Sequence, residues 1–212
     1  MSIHASIARS RCLYGTLLLS LTLVTACNKE VDTTSAVPKS SIVISLNGDI
    51  RSTDPGVNRD SNTDTVMMHI VEGLVGYREN GGVAPLLART VVLSDGGKTY
   101  TFNLRHNVRF HNGAELTSAD VIWTWRRYLD PKTNWTCLSD FDGSHGTRIE
   151  SISAPDRYTV VFRLNSPDPM LLTQMAALPC GGSGILNPSS VNPDGSWNKP
   201  IGTGPYMLGE WR

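Results

Sequence analysis

Residues 93–105, LSDGGKTYTFNLR, read as strand, tight turn, strand. Tyr100, Phe102 and Leu104 alternate with Thr99, Thr101, Asn103 and Arg105, the period-two pattern of a half-buried strand. Asp95-Gly96-Gly97 supplies residues that tolerate positive φ, so the chain reverses there, and residues 91–93 predict the strand before it. Val108 and Phe110 carry the alternation on to a turn at His111-Asn112-Gly113. Thr117 followed by Asp120 is the spacing of a helix-capping pair. Val121, Ile122, Trp125, Tyr128 and Leu129 then fall on one helical face, and Pro131 ends the helix.

Working outward, residues 41–46 (SIVISL) are short, apolar and β-branched, and predict a strand that ends at Asn47-Gly48. Asp54-Pro55-Gly56 is a turn. Val66, Met67, Ile70, Val71 and Leu74 recur at helical spacing, with Thr63 as the cap, Asp64 in the first turn, and Gly73 and Gly76 at the exit. A second hairpin is predicted from residues 149–153, a turn at Pro155-Asp156, and a return through Tyr158, Val160, Phe162 and Leu164. A short helix is expected over 170–177, followed by a Gly- and Pro-rich stretch from Gly181 to Pro205. Hairpins and helices mix without a regular strand–helix–strand rhythm, which predicts an α/β (mixed α+β) chain and not a doubly wound sheet.

The N-terminus has a different character. Arg9 and Arg11 precede an uncharged apolar run over 13–24, too short to cross a bilayer stably but suited to a secretory signal. Val24-Thr25-Ala26-Cys27 resembles a bacterial lipobox, in which small residues admit the peptidase and the thiol carries the lipid. Residues 1–27 are therefore expected to be a lipoprotein signal peptide with lipid attachment at Cys27, and the polar segment 28–41 a flexible tether. The protein is expected at the extracytoplasmic, periplasmic face of a membrane. Cys12 leaves with the signal and Cys27 is lipidated. Cys137 and Cys180 remain as one pair, either a disulfide favoured by the oxidising compartment or two buried thiols.

Composition excludes several classes. The 212 residues are 40% hydrophobic and 18% charged, a globular balance with 19 basic and 19 acidic side chains. Loss of Arg9 and Arg11 leaves 17 basic against 19 acidic, a net of −2, so nothing advertises a nucleic-acid partner. Gly202-Thr203-Gly204-Pro205 lacks the Lys-Ser/Thr ending of a phosphate loop, and Pro205 has no N–H to donate. Gly181-Gly182-Ser183-Gly184 lacks the spacing of a nucleophile elbow. His106 and His111 lie on either side of a strand run and not at helical ligand spacing; His145 sits in a Gly/Asp loop; Arg126-Arg127 reads as a solvated helix face; Asn134-Trp135-Thr136 is a sequon without a modifying route in a bacterial lipoprotein. No catalytic constellation, metal site or cofactor motif emerges.

Several blocks carry more than periodicity. Ala84-Pro85-Leu86-Leu87-Ala88 precedes residues 93–105; Val108-Arg109-Phe110-His111-Asn112-Gly113 and Leu116-Thr117-Ser118-Ala119-Asp120-Val121 follow; Glu72-Gly73-Leu74, Pro200-Ile201-Gly202-Thr203-Gly204-Pro205-Tyr206 and Glu210-Trp211 flank them. In this order they resemble the peptide/nickel/opine class of extracytoplasmic solute-binding proteins, family 5, the receptors of ABC importers. That resemblance, over 42–212, implies a type II periplasmic-binding-protein-like fold: the N-terminal lobe with an inserted subdomain at about 51–185. Family members are longer and close two lobes on the ligand, so the sequence is expected to be truncated before the second lobe. It implies a monomeric, non-enzymatic receptor that binds peptides or a related small solute and delivers them to a membrane permease. The end of the first strand, Asn47 and Gly48, and the segment around Gly181 and Gly182 become expected ligand contacts, with plain structural turns as the alternative. A truncated lipoprotein with a structural or adaptor role is the second functional reading.

Replacing Cys27 by Ser is expected to release the protein from the membrane fraction and abolish palmitate labelling. Unchanged partition and labelling would refute lipid attachment there.

Overall fold

A computed structural model describes residues 43–210. The expected signal (1–27) with Cys27, the tether (28–41), the first residues of the expected strand at 41–46, and Trp211 lie outside them. The chain from Ser45 onward forms one unit.

Its centre is a four-stranded antiparallel sheet made of two hairpins. Numbered along the chain after a small pair β1 (Val75–Tyr77) and β2 (Val83–Pro85), these are β3 (Ala88–Ser94) with β4 (Thr99–Leu104), and β5 (Ile149–Asp156) with β6 (Thr159–Leu164). The spatial order is β3-β4-β6-β5, with Phe102 opposite Val160 and Tyr100 opposite Phe162 at the seam between hairpins. The alternation in β4 and β6 places Tyr100, Phe102, Leu104, Val160, Phe162 and Leu164 on one buried face.

Helix α2 (Ser118–Tyr128) covers that face. The Asp120 carboxylate accepts the Thr117 N–H and the Thr117 hydroxyl, each at 2.8 Å, closing its first turn. Trp125 points into the sheet, edge-on to Phe162 and Phe141 with ring centroids 5.2 Å away in both cases. Trp135 stacks on Tyr128 at 4.5 Å and on Phe141 at 5.4 Å. Asp54 and Arg127, both largely buried, form a two-point ion pair with one contact at 3.0 Å. Burial pushes the Asp54 carboxyl up from its ordinary value, against the pull of the Arg127 guanidinium.

After α3 (Leu171–Ala176) the chain returns across α2. The Trp135 indole donates to the Cys180 carbonyl at 3.1 Å, Tyr128 Oη to the Gly184 carbonyl at 2.6 Å, and Thr124 Oγ1 exchanges bonds with the Leu186 backbone at 3.0 and 3.1 Å. Cys137 and Cys180 form a disulfide, Cα to Cα 5.4 Å, across a separation of 43 residues.

Several local expectations are corrected. Residues 43–46 are not a strand: Val43 is 81% and Ile44 58% exposed, and no described strand pairs with them. The first helix, α1, is Ser61–Met67, capped by Asp60, which accepts the Thr63 N–H at 2.8 Å. Thr63 Oγ1 instead accepts the Arg51 N–H at 2.9 Å. The helix stops seven residues short of Leu74 because the His69 and Ile70 carbonyls, which a continuing helix would use, accept from Tyr206 N at 3.1 Å and Gly204 N at 3.0 Å. β4 ends at Leu104; beyond it Asn107 has φ 61°, and Arg109 with Glu115 makes only an isolated bridge. The second hairpin turns at Arg157-Tyr158, not at Pro155-Asp156.

Among the glycines of the quoted blocks, Gly73, Gly202 and Gly204 pack against backbone, whereas Gly96 and Gly113 face open space. A Cβ on Gly202 would stand 2.2 Å from the Ile70 carbonyl oxygen, and one on Gly73 2.2 Å from that of Gly182. Gly202→Ala is expected to lower stability by about 1–3 kcal/mol in a denaturant titration. Gly209→Ala, where a Cβ meets nothing within 4 Å, should stay within about 0.5 kcal/mol; equal losses would refute the packing argument. Replacing Cys137 and Cys180 together by Ala should cost roughly 4 kcal/mol for a loop of this length, and a loss under about 1 kcal/mol would show that the clasp does not restrain the unfolded chain.

Candidate functional site

Three segments meet where α1 ends. Residues 69–73 leave the helix, 180–187 return over α2, and 200–206 run alongside. Ile185 N donates to the Glu72 carbonyl at 2.8 Å and Asn187 N to the Ile201 carbonyl at 2.9 Å. Thr203 Oγ1 donates to Glu72 Oε2 at 2.8 Å, and His111 Nε2 sits 2.9 Å from the Gly204 carbonyl oxygen. Gly181 and Gly182 hold φ of 62° and 59°, values that L side chains rarely adopt, which explains the pair of glycines.

Beside this junction lies a groove of about 410 Å³, lined by Arg59, Asp64, Thr65, Met68, His69 and Leu178 among others. One side is α1, the other the Leu178-Pro179 turn. Arg59 Nε donates to Asp64 Oδ1 at 3.0 Å and a second guanidinium nitrogen to Oδ2, so this ion pair is fixed before any solute arrives. His69 Nδ1 is 2.7 Å from the Thr65 carbonyl oxygen, and its ring meets Tyr206 edge-on at 6.0 Å. The lining is mixed: half-exposed Leu178 beside hydroxyl, imidazole and paired charges. That chemistry suits holding a solute more than transforming one.

The four expected ligand contacts fall at the two ends of α1. Asn47 and Gly48 are exposed, and a Cβ on Gly48 would lie 3.3 Å from Asn62 Nδ2 in the first turn. Gly181 and Gly182 are buried; a Cβ on Gly181 would meet Pro55 Cβ at 2.9 Å, and one on Gly182 would meet Met68 Cε at 3.0 Å. Asn62 and Met68 are roughly 9 Å apart along a helix axis at its usual rise. Gly182 therefore neighbours the groove's lining through Met68, whereas Gly181 packs on Pro55, which does not line it. Cys137 and Cys180 are bonded below it, and Asp140 lies with their sulfurs within 4.8 Å.

The other singled-out residues separate. His106 stacks on Tyr158 at 4.2 Å, while His111 serves the Gly204 carbonyl, so the two histidines do not converge. His145 pairs with Asp140 at 2.9 Å. Ser183 Oγ is buried with no hydrogen-bond partner among the described residues, so no base activates it. Arg127 is not on a solvated face: it is the partner of Asp54, whereas Arg126 is exposed. His69, Leu178 and the Glu72–Thr203 contact were not expected. Their roles come from the junction, although Glu72 and Thr203 both sit inside quoted blocks.

Residues 82–212 match the profile of the bacterial extracellular solute-binding proteins, family 5, middle part. The chain is 33% identical over 178 residues to di/tripeptide-binding protein 4 of Pseudomonas aeruginosa, an alignment covering 72% of this chain and 31% of that protein. Among solved structures it resembles the periplasmic binding protein AgaA of A. tumefaciens R10 in complex with agropinic acid, with a TM-score of 0.69, 30% identity, and 78% and 32% of the two chains covered. It also resembles DppA of Helicobacter pylori in complex with the peptide STSA, with a TM-score of 0.66, 27% identity, and 77% and 35% covered. The fold is that of the type II periplasmic binding proteins, and the chain spans about a third of the length of the relatives it matches. Family profile, collinear glycine blocks and the junction those blocks build agree: this chain belongs to the family 5 bacterial extracellular solute-binding proteins.

Proposed function

We propose that this chain is part of the substrate-binding component of an ABC importer, taking up peptides or a related small solute outside the cytoplasmic membrane and passing them to a permease. The observation that carries the reading is the groove beside α1, a concavity of mixed polar and apolar lining in a chain that belongs to a family of solute-binding proteins. Such a wall holds a solute through backbone groups, a preset ion pair and adaptable apolar side chains. A second lobe closing over it would complete the site by hinge motion. The mechanism requires no bond to be made or broken, and no catalytic role is proposed for any residue. The inserted subdomain would comprise about residues 51–185, with Asn47 and Gly48 at the mouth of the cleft and Gly181 and Gly182 supporting it from within. A monomer held at the membrane through lipid on Cys27 would keep the receptor near its permease.

Relatives named for di/tripeptides, and one solved with a four-residue peptide, support peptides as the first solutes to test. Thr65→Trp fills the groove from an exposed position on α1. In cells carrying this receptor and its permease, it is expected to cut uptake of labelled di- and tripeptides by at least about tenfold, a loss of about 1.4 kcal/mol in binding, at unchanged protein level. Ser94→Trp, on the exposed end of β3, should leave uptake intact. Uptake unaffected by Thr65→Trp would remove the groove from the solute path.

A further inference from the structure

A second groove, of about 760 Å³, runs beside the last turn of α2 and shares no lining residue with the one beside α1. Its walls are held in place before any ligand arrives. Arg127, paired with Asp54, lies over the Trp197 ring at 4.9 Å from its centroid. The Trp197 indole N–H donates to Thr53 Oγ1 at 3.0 Å. The loop carrying Trp197 closes on itself: Val191 bridges to Trp197, Asn192 N donates to the Ser196 carbonyl at 2.8 Å, and Asp194 accepts from Ser196 N at 2.9 Å and Oγ at 2.6 Å. Trp123, half-buried one turn before Arg127, adds a second indole to the lining.

The groove's charges are unevenly used. Asp54 is committed to Arg127. Asp130 accepts the Lys132 backbone N–H at 3.0 Å, and Asp194 is turned into its own loop. Among the described residues, the Arg126 guanidinium and the Lys132 ammonium have neither an ion pair nor a hydrogen bond. Two uncommitted cationic donors thus stand at the rim of a groove with two indoles in its lining. A guanidinium binds a carboxylate through two parallel hydrogen bonds. Indole faces favour a flat apolar body. The volume lies in the usual range for small-molecule sites, and walls fixed in advance reduce the entropy lost on binding.

We propose that this groove binds a small carboxylate with a flat apolar body, the carboxylate on Arg126 and Lys132 and the body against Trp123 and Trp197. The site is separate from the transported-solute groove and does not depend on the receptor role. An inorganic anion would use the cations and ignore the indoles; a neutral aromatic would do the reverse. The structure favours a ligand that uses both.

Calorimetric titration of the purified full chain with 2-naphthoate, its neutral twin 2-naphthamide, and inorganic phosphate tests this. Naphthoate is expected to bind saturably and at least about tenfold more tightly than either control. The double variant Arg126→Gln, Lys132→Gln should lose at least that factor with an unchanged circular dichroism spectrum, since both side chains are exposed. The indole N–H resonances of Trp123 and Trp197, assigned with Trp→Phe variants, should shift with naphthoate while the other indoles stay fixed. Equal binding of naphthamide or phosphate, a double variant that binds as tightly as the parent, absence of saturable binding, or shifts confined to other tryptophans would overturn the proposal.

Discussion

The burial of Trp125 is the contact on which both layers of the structure depend. One indole meets the sheet through Phe162, the loop after α2 through Trp135 and Phe141, and its own helix through Tyr128. Aromatic pairs of this geometry contribute about 0.5–1.5 kcal/mol each beyond the area they bury. The larger consequence is positional. With α2 fixed on the sheet, its neighbouring residues Thr124 and Tyr128 face the returning chain and bond it at Leu186 and Gly184. The groove beside α1 is several contacts away from the hairpins, yet its far wall hangs from them by this route.

The junction after α1 follows a different rule. Its three segments approach so closely that only hydrogen atoms fit at Gly73, Gly184, Gly202 and Gly204. Backbone donors and acceptors then satisfy each other directly, as in a sheet but without regular strands. Close packing of this kind resists deformation.

How much of this was legible in the sequence depended on how local the cause is. The alternation in β4 and the stripe from Val121 to Tyr128 are written within single elements, and the Thr117–Asp120 cap within four residues; these were read correctly. Residues 43–46 look like a strand by composition, but a strand exists only where a partner supplies hydrogen bonds. The early end of α1 is set by Gly204 and Tyr206, more than a hundred residues away, and the burial of Arg127 by Asp54, 73 residues away. Of the site, the glycine pair was visible as special backbone, but its inward packing was not. His69 and Leu178 carry no sequence signal of their own, because each acquires its place only when α1 and the returning chain meet.

The bond between Cys137 and Cys180 also has a bearing on how such a protein reaches its compartment. Relatives of this chain work outside the cytoplasm, where thiols are oxidised. A polypeptide threaded through an export channel must travel extended, so a fold that is too stable too early blocks its own passage. Here the segment that completes the groove's far wall stays unclasped while the thiols are reduced. Part of the stability therefore depends on the redox state of the surroundings, since one covalent link, closed by oxidation, separates a looser chain from a clasped one.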